Sequence, residues 1–177
     1  MNRAVFLDRD GVIIRTDVRD GKPYAITSLD ALDVLDGAED AVRRLKQAGF
    51  ATIVVTNQPD VAAGKVTRDV VEAINAELME KLEIDEIKTC FDIAAPCYKP
   101  KPGMLLEAAR DHDITLDRSY LVGDRWRDVG AGKAAGCMTV FIDMGYAEQL
   151  SDAPDVTVGS VAEAADFILS LETKEAL

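Results

Sequence analysis

The chain has 177 residues, of which 48% are hydrophobic and 29% are charged, a composition typical of a folded globular protein with its own core. Its formal net charge of −12 argues against general binding to nucleic acids or anionic membranes, because both are negatively charged themselves. No apolar run approaches the roughly 18 residues of a membrane-spanning helix, so we expect no such helix.

The N-terminus and the cysteines indicate a cytoplasmic protein. The first apolar run ends at Asp8, which is too early for the hydrophobic part of a secretion signal. Without such a signal we expect Cys90, Cys97 and Cys137 to be thiols. We expect a monomer or a small homo-oligomer.

The first part of the chain predicts two strands with a helix between them. Residues 3–7 form a short apolar run without helical spacing, which predicts a buried strand. Residues 15–36 are acidic and contain turn residues, so we expect them to be irregular. Apolar positions at helical spacing over 38–48 predict a helix that Gly49 ends, and the β-branched residues 51–57 predict the second strand.

The middle of the chain continues this alternation. Thr67 is a suitable cap for a helix whose apolar stripe extends to Leu82. A third strand is expected within 87–93, and Pro102 stands near the first position of the next helix. Residues 119–124 predict the fourth strand.

The C-terminal part predicts one more strand and two helices. A short helix is expected over 129–135 and a fifth strand over 138–143. Ser160 and Glu163 form a capping box for a terminal helix, and residues 173–177 are expected to be a loose tail.

This order predicts the fold class. Alternating strands and helices indicate an α/β, three-layer, Rossmann-like fold, with helices on both faces of a parallel sheet and right-handed crossovers. We expect one domain over residues 1–172, because the sequence shows no repeat and no linker.

Polar residues follow four of the predicted strands, and open parallel sheets bind ligands at that edge. In strand order they are Asp8 and Asp10, Thr56 and Asn57, Lys99 and Lys101, and Asp124 and Asp128. Clustered carboxylates repel one another unless a cation lies among them, and hard oxygen ligands favour Mg²⁺. A hydroxyl and an ammonium group could hold the oxygens of a bound phosphate, so the set fits phosphoryl transfer.

The two aspartates of the first pair are separated only by Arg9. If the chain turns directly after Asp8, strict strand alternation no longer sends Asp8 and Asp10 to opposite faces. One carboxylate could then attack phosphorus while the other faces the leaving group. We expect Arg9 to face outward and to have a structural role.

Four segments together carry a family resemblance: DRDG, VVTNQ, KPKPG and GDRWRD. In this order, at four strand ends, they resemble the motifs of the haloacid dehalogenase superfamily. They are most similar to its small phosphatases without a large cap domain, a group that includes histidinol phosphatases and heptose 1,7-bisphosphate phosphatases. The resemblance covers residues 4–143 and implies a phosphomonoesterase that uses Mg²⁺ and acts on a small phosphorylated metabolite.

The resemblance also implies roles for individual residues. Asp8 would be the nucleophile that forms an aspartyl-phosphate, and Asp10 the general acid and then the general base. Thr56, together with Asn57, would bind the phosphoryl group. Lys99, which the family pattern favours over Lys101, would neutralise the charge shared by phosphate and Asp8.

The implied metal site consists of Asp8, Asp124 and the backbone carbonyl of Asp10, with Asp128 behind these ligands. Heptose relatives often carry a zinc loop before the lysine motif, where this chain has CFDIAAPCYKP. Asp92 stands where the loop's histidine would be, and a structural zinc needs about four nitrogen or sulfur ligands. We do not expect a structural zinc.

Three further residues are candidate substrate contacts. Tyr98 occupies a position where heptose relatives commonly have an arginine, Lys65 follows a loop that lacks another of their arginines, and Arg125 replaces a common lysine. Trp126 and Arg127 could contact substrate or pack at the start of a helix. Heptose 1,7-bisphosphate is the first substrate hypothesis, and histidinol phosphate is the alternative.

Two other functional classes stay open at this point. A receiver-like signalling domain also gathers acids, a threonine and a lysine on a parallel sheet, and accepts phosphate on an aspartate. Asp10 and the segment GDRWRD disfavour it. An inactive, metal-binding relative is disfavoured because every motif residue is present.

Overall fold

Eight strands and five α-helices lie within residues 2–175, the part of the chain that the structure, a computed structural model, describes. The strands are β1 (Arg3–Leu7), β2 (Asp17–Arg19), β3 (Lys22–Tyr24), β4 (Phe50–Asn57), β5 (Glu86–Cys90), β6 (Tyr120–Gly123), β7 (Met138–Ile142) and β8 (Val156–Val158). The helices are α1 (Ala38–Gln47), α2 (Arg68–Leu82), α3 (Gly103–His112), α4 (Trp126–Ala135) and α5 (Val161–Glu175).

Six of the strands form one parallel sheet in the order β5-β4-β1-β6-β7-β8. The first strand of the chain therefore lies inside the sheet, between β4 and β6. From β1 the chain builds outward through β4 and β5, then returns to β6 and builds the other side. This reversal places a topological switch point at the carboxyl end of β1, where such sheets bind ligands.

Both faces of the sheet are covered by helices, as the sequence predicts. Along β1, Val5 and Leu7 belong to an apolar cluster with α1, α2 and α5, whereas Ala4 and Phe6 belong to a second cluster with α3 and α4. All four side chains are fully buried. The predicted three-layer α/β fold is thus confirmed.

The segment between β1 and α1 differs from the prediction of an irregular region. It holds an antiparallel hairpin of β2 and β3 and a 3₁₀ turn at Leu29–Ala31. The hairpin side chains are exposed or only partly buried, so no alternation of apolar residues reveals it. Within the described residues, the hairpin and this 3₁₀ turn are the only strands and helices between β1 and α1, and no large cap domain occurs there.

The C-terminal part also differs in detail from the prediction. The short strand β8 was not predicted, and it extends the sheet by one strand. The backbone of α5 continues through Glu175, so residues 173–175 of the predicted tail are helical, and residues 176–177 lie outside the described residues. The Ser160 hydroxyl accepts from the amide of Glu163 at 3.2 Å, as predicted, but the Glu163 carboxylate accepts from Gly159 rather than from Ser160.

No helix within residues 2–175 has both the length and the apolar character needed to cross a membrane.

Candidate active site

A cavity of about 310 Å³ lies where β1, β4 and β6 end. Its lining includes nearly all residues that the sequence predicts for the site: Asp8, Asp10, Thr56, Asn57, Lys65, Tyr98, Lys99, Arg125 and Asp128. Asp124, the remaining predicted residue, is buried directly beside Asp8 and Asp128. The chain therefore brings the predicted residues of four separate strand ends into one site.

Lys99 is the buried cation of this site. Its ammonium group donates to the carbonyl of Val55 at 2.7 Å and to Asp128 at 2.6 Å, and it lies 2.9 Å from Oδ1 of Asp8. Burial opposes the charged form of Lys99, but the two carboxylates outweigh burial and raise its pKa above the usual value. Lys101 instead donates to the exposed carbonyls of residues 94 and 95. Lys99 is therefore the lysine that contacts Asp8.

Asn57 holds the loop that carries Lys99. Its side-chain amide donates to the Lys99 carbonyl at 3.0 Å, and its side-chain oxygen accepts from the Lys99 backbone amide at 3.1 Å. This double contact ties the end of β4 to the lysine loop. The structure thus gives Asn57, predicted as a phosphate ligand, a clear role in positioning Lys99.

Three buried carboxylates, of Asp8, Asp124 and Asp128, form what we call the acid cluster. One oxygen of each lies within 4.8 Å of one oxygen of the others. Burial, and then the charges of the other two, raise the pKa of Asp124 well above its usual value. Burial and Asp128 likewise raise the pKa of Asp8, although Lys99 opposes the rise. One lysine therefore faces three acids that repel one another.

Asp124 is the member of the acid cluster without compensation. Both of its carboxylate oxygens are buried, and neither has a hydrogen-bond partner among the described residues. An unpaired buried carboxylate is costly, and a hard divalent cation with oxygen ligands, such as Mg²⁺, removes that cost. In contrast, Asp128 accepts from Lys99 and from the backbone amide of Arg125 at 3.1 Å. The donor set thus fits Mg²⁺, with Asp124 as its clearest ligand and Asp128 as a support.

Two glycines allow this close approach. Gly11 has φ +88°, and a Cβ built on it would lie 1.9 Å from Oδ2 of Asp124. A Cβ on Gly123 would lie 2.2 Å from the Cβ of Asp128. The turn after Asp8 therefore needs glycine both for its backbone conformation and for the space that Asp124 occupies.

Arg9 is fully buried, so the prediction that it faces outward is wrong. Its guanidinium donates to Asp10 at 3.0 Å and to the side-chain oxygen of Asn75 at 2.9 Å, and Asn75 in turn donates to Thr89. The chain turns immediately after Asp8, and this turn directs Arg9 inward toward α2 and β5. A buried arginine requires such partners, and one of them is the second aspartate of DRDG.

Gln58 is a site residue that the sequence reasoning missed. Its amide nitrogen lies 2.9 Å from both Asp10 Oδ2 and the hydroxyl oxygen of Thr56, and donates to both. The residue is fully buried. The signal for it was present, because Gln58 directly follows Asn57 in the segment VVTNQ.

Tyr146 was also missed. Its hydroxyl lies near Asp124 without meeting hydrogen-bond geometry, and burial together with the Asp124 charge raises its pKa. It follows the carboxyl end of β7. Polar residues that follow strand ends were the site candidates at four other strands, and the same criterion applied to β7 includes Tyr146.

Two of the three remaining candidate substrate contacts are paired with carboxylates of the protein itself. The guanidinium of Arg125 binds Glu148 through two nitrogens. The ammonium group of Lys65 lies 3.0 Å from Asp60. Tyr98 is partly buried at the cavity, where the guanidinium of Arg127 lies 6.0 Å from its ring centre.

Cys90 and Cys97 are joined by a disulfide, so the prediction that they are thiols is wrong for this pair. The loop between them turns back and brings their Cα atoms to 5.6 Å, which is within the range of disulfides. Neither sulfur is then a thiolate, the form that binds metals. Cys137 is a free, buried thiol, and burial raises its pKa to about 12.

Comparison with known proteins agrees with the phosphatase resemblance of the sequence motifs. The family model for haloacid dehalogenase-like hydrolases matches residues 24–136. The chain is 36% identical over 179 residues to the D-glycero-beta-D-manno-heptose-1,7-bisphosphate 7-phosphatase of Escherichia coli (strain K12), which covers 90% of each chain. It is 31% identical to the D-glycero-D-manno-heptose-1,7-bisphosphate 7-phosphatase of Thermosynechococcus vestitus, over 93% of this chain and 94% of that one.

Solved structures show the same likeness. The D,D-heptose 1,7-bisphosphate phosphatase from B. bronchiseptica, complexed with magnesium and phosphate, superposes with a TM-score of 0.81 at 28% identity. The match covers 96% of this chain and 99% of that one. A HAD-like phosphatase from Mesorhizobium loti gives a TM-score of 0.78 at 29% identity, over 97% and 87% of the two chains.

The first prediction concerns the turn after Asp8. We expect Gly11→Ala to lower kcat/KM for p-nitrophenyl phosphate by about 100-fold or more, because the new Cβ displaces Asp124 and misplaced site groups cost about that much. The matched control is Gly49→Ala, since Gly49 has φ +87° but, apart from its two chain neighbours, no described residue comes within 4 Å of its Cβ position. Both variants should lose stability, but only Gly11→Ala should lose activity. Equal activity in the two variants would contradict this reading of the site.

Proposed function

The chain belongs to the haloacid dehalogenase-like hydrolase family, and on this premise we propose that it is a Mg²⁺-dependent phosphatase that removes the 7-phosphate of heptose 1,7-bisphosphate. The observation that carries the proposal is the contact of Lys99 with Asp8 inside the acid cluster, at the cavity. We propose one phosphatase domain over residues 1–172. The receiver-like alternative has no support from the family match.

We assign Asp8 as the nucleophile. Its Oδ1 accepts from the backbone amide of Arg9 at 2.8 Å and lies 2.9 Å from the Lys99 ammonium, so the carboxylate is fixed. The other oxygen, Oδ2, attacks phosphorus. The new bond joins Oδ2 to phosphorus, the bond to the sugar oxygen breaks, and an aspartyl-phosphate forms. When bound, Mg²⁺ would neutralise charge between the acid cluster and the phosphoryl oxygens, with Asp8 and Asp124 as its ligands.

Asp10 moves the proton in both steps. It protonates the leaving sugar oxygen as the aspartyl-phosphate forms, and it then takes a proton from the water that hydrolyses this intermediate. Arg9 and Gln58 both donate to its Oδ2, and the second Arg9 contact, to Oδ1, is longer at 3.4 Å. These contacts fix the carboxylate from the protein side, and Asp10 still lines the cavity.

Thr56 is prepared to bind a phosphoryl oxygen. Its hydroxyl oxygen accepts from Gln58, and a hydroxyl that accepts one hydrogen bond retains its own hydrogen for donation. Thr56 and Asp8 line the same cavity. Gln58 therefore orients two groups at once, the phosphate-binding hydroxyl and the proton-transfer carboxylate.

A small phosphorylated sugar as the partner follows from the relatives, which are named as heptose bisphosphate phosphatases. The cytoplasmic location, the monomeric or small homo-oligomeric state and the lack of a structural zinc stay predictions from the sequence.

The direct test is phosphate release with Mg²⁺ from heptose 1,7-bisphosphate and, in parallel, from histidinol phosphate. We expect wild-type protein to prefer the heptose substrate and Asp8→Asn to lose turnover, because an amide cannot attack phosphorus. Asp69→Asn, on the exposed surface of α2, is the control for loss of one carboxylate. Preference for histidinol phosphate would overturn the substrate, and turnover by Asp8→Asn would overturn the mechanism.

Arg9 offers a test of the role of Asp10. We expect Arg9→Met to lower kcat on the sugar phosphate by about 10- to 100-fold, within the range of general acid catalysis. The loss should be smaller on p-nitrophenyl phosphate, whose leaving phenolate needs little protonation. Arg9→Lys should recover part of the rate. An equal loss on both substrates would mean that Arg9 acts on something other than proton transfer.

A further inference from the structure

One cationic side chain of the cavity has no anionic partner among residues 2–175. The cavity is lined by four cationic groups: Lys65, Lys99, Arg125 and Arg127. Lys99 is bound inside the acid cluster, and Lys65 and Arg125 are each paired with a carboxylate outside it, as described above. Arg127 differs from these three, because its guanidinium makes no hydrogen bond or ion pair with any residue in the described part of the chain.

Arg127 contacts aromatic rings rather than charged groups. Its guanidinium lies over the Trp126 ring at 4.8 Å from the ring centre, and 6.0 Å from the centre of the Tyr98 ring. Contact with aromatic rings uses none of the N–H donors of a guanidinium for an anion. Arg127 therefore lines the cavity with N–H donors that no described residue accepts from.

Arg127 has no carboxylate partner among the described residues although the protein carries an excess of negative charge. The chain carries a net charge of −12, and the cavity itself includes Asp60 and Asp10, yet each of these is bound to another cation. A planar arginine edge matches two oxygens of a phosphate or carboxylate group. Under the assignment above, Thr56 and Lys99 bind the phosphoryl group under attack, so Arg127 is left for a different anionic group.

We infer that Arg127 is a specificity residue that binds a second anionic group of the substrate, remote from the phosphoryl group that Asp8 attacks. This inference rests on the proposed function, under which that group is the second phosphate of a sugar bisphosphate. The positive charge of Arg127 disfavours substrates whose distal end is cationic, such as histidinol phosphate with its ammonium group. Arg127 thus separates the two substrate hypotheses by chemistry.

The test compares heptose 1,7-bisphosphate with heptose 7-phosphate, which lacks only the second phosphate. For the bisphosphate, Arg127→Gln should lower kcat/KM by about 10- to 100-fold, the effect of one charge-assisted pair, and the loss should lie in KM. For the monophosphate, kcat/KM should stay within about twofold of wild type. Arg127→Lys should be intermediate on the bisphosphate, since it keeps the charge but not the planar edge.

Arg118→Gln is the matched control. Arg118 is exposed and precedes β6, so it lies at the opposite end of that strand from Asp124. It should behave as wild type on both substrates. If wild-type protein hydrolyses neither substrate, the proposed function fails. If wild type prefers the bisphosphate and Arg127→Gln keeps that preference, or loses activity equally on both substrates, the inference about Arg127 is wrong and the proposed function stands.

Discussion

The site depends on one buried ammonium group. Lys99 contacts Asp8 and Asp128 and also donates to the backbone of β4, so a single cation joins the end of β1, the strand β4 and the helix α4. Its charge is fixed because the two carboxylates outweigh the cost of burial. It does not, however, balance three acids, and within residues 2–175 the Asp124 carboxylate is left without a hydrogen-bond partner. This excess of negative charge fits a divalent cation, which is the basis of the proposal that the site binds Mg²⁺.

The backbone keeps this unfavourable group of charges together. Since β1 lies between β4 and β6, their carboxyl ends meet at the switch point, and only Lys99 reaches the site on a longer loop, between β5 and α3. Gly11 permits Asp124 to approach the turn after Asp8. The side chain of Asn57 hydrogen-bonds to both the backbone amide and the backbone carbonyl of Lys99. Charge repulsion is thus opposed by close packing and by the sheet, rather than by flexible side chains.

The sequence predicted the sheet, its main helices and the acid cluster because these depend on local patterns and on the order of strands. Asp8 and Asp124 are each the first residue after a buried strand, which marks them clearly. The direction of Arg9 could not be predicted, because it depends on Asn75, a partner 66 positions away on α2. The pairing of Arg125 with Glu148 depends in the same way on a loop without a periodic pattern. The exposed hairpin lacks the alternation that reveals a strand.

The central claim is that the acid cluster needs a cation that Asp124 binds, and thermal unfolding with and without Mg²⁺ tests it without any substrate. Wild-type protein should be stabilised by Mg²⁺, by about 2.7 kcal/mol at a concentration 100 times the Kd. Asp124→Asn, which keeps the shape of the side chain and removes its charge, should gain little from Mg²⁺ and should match or exceed wild type in metal-free buffer. Equal stabilisation of both proteins by Mg²⁺, or none of wild type, would contradict the account.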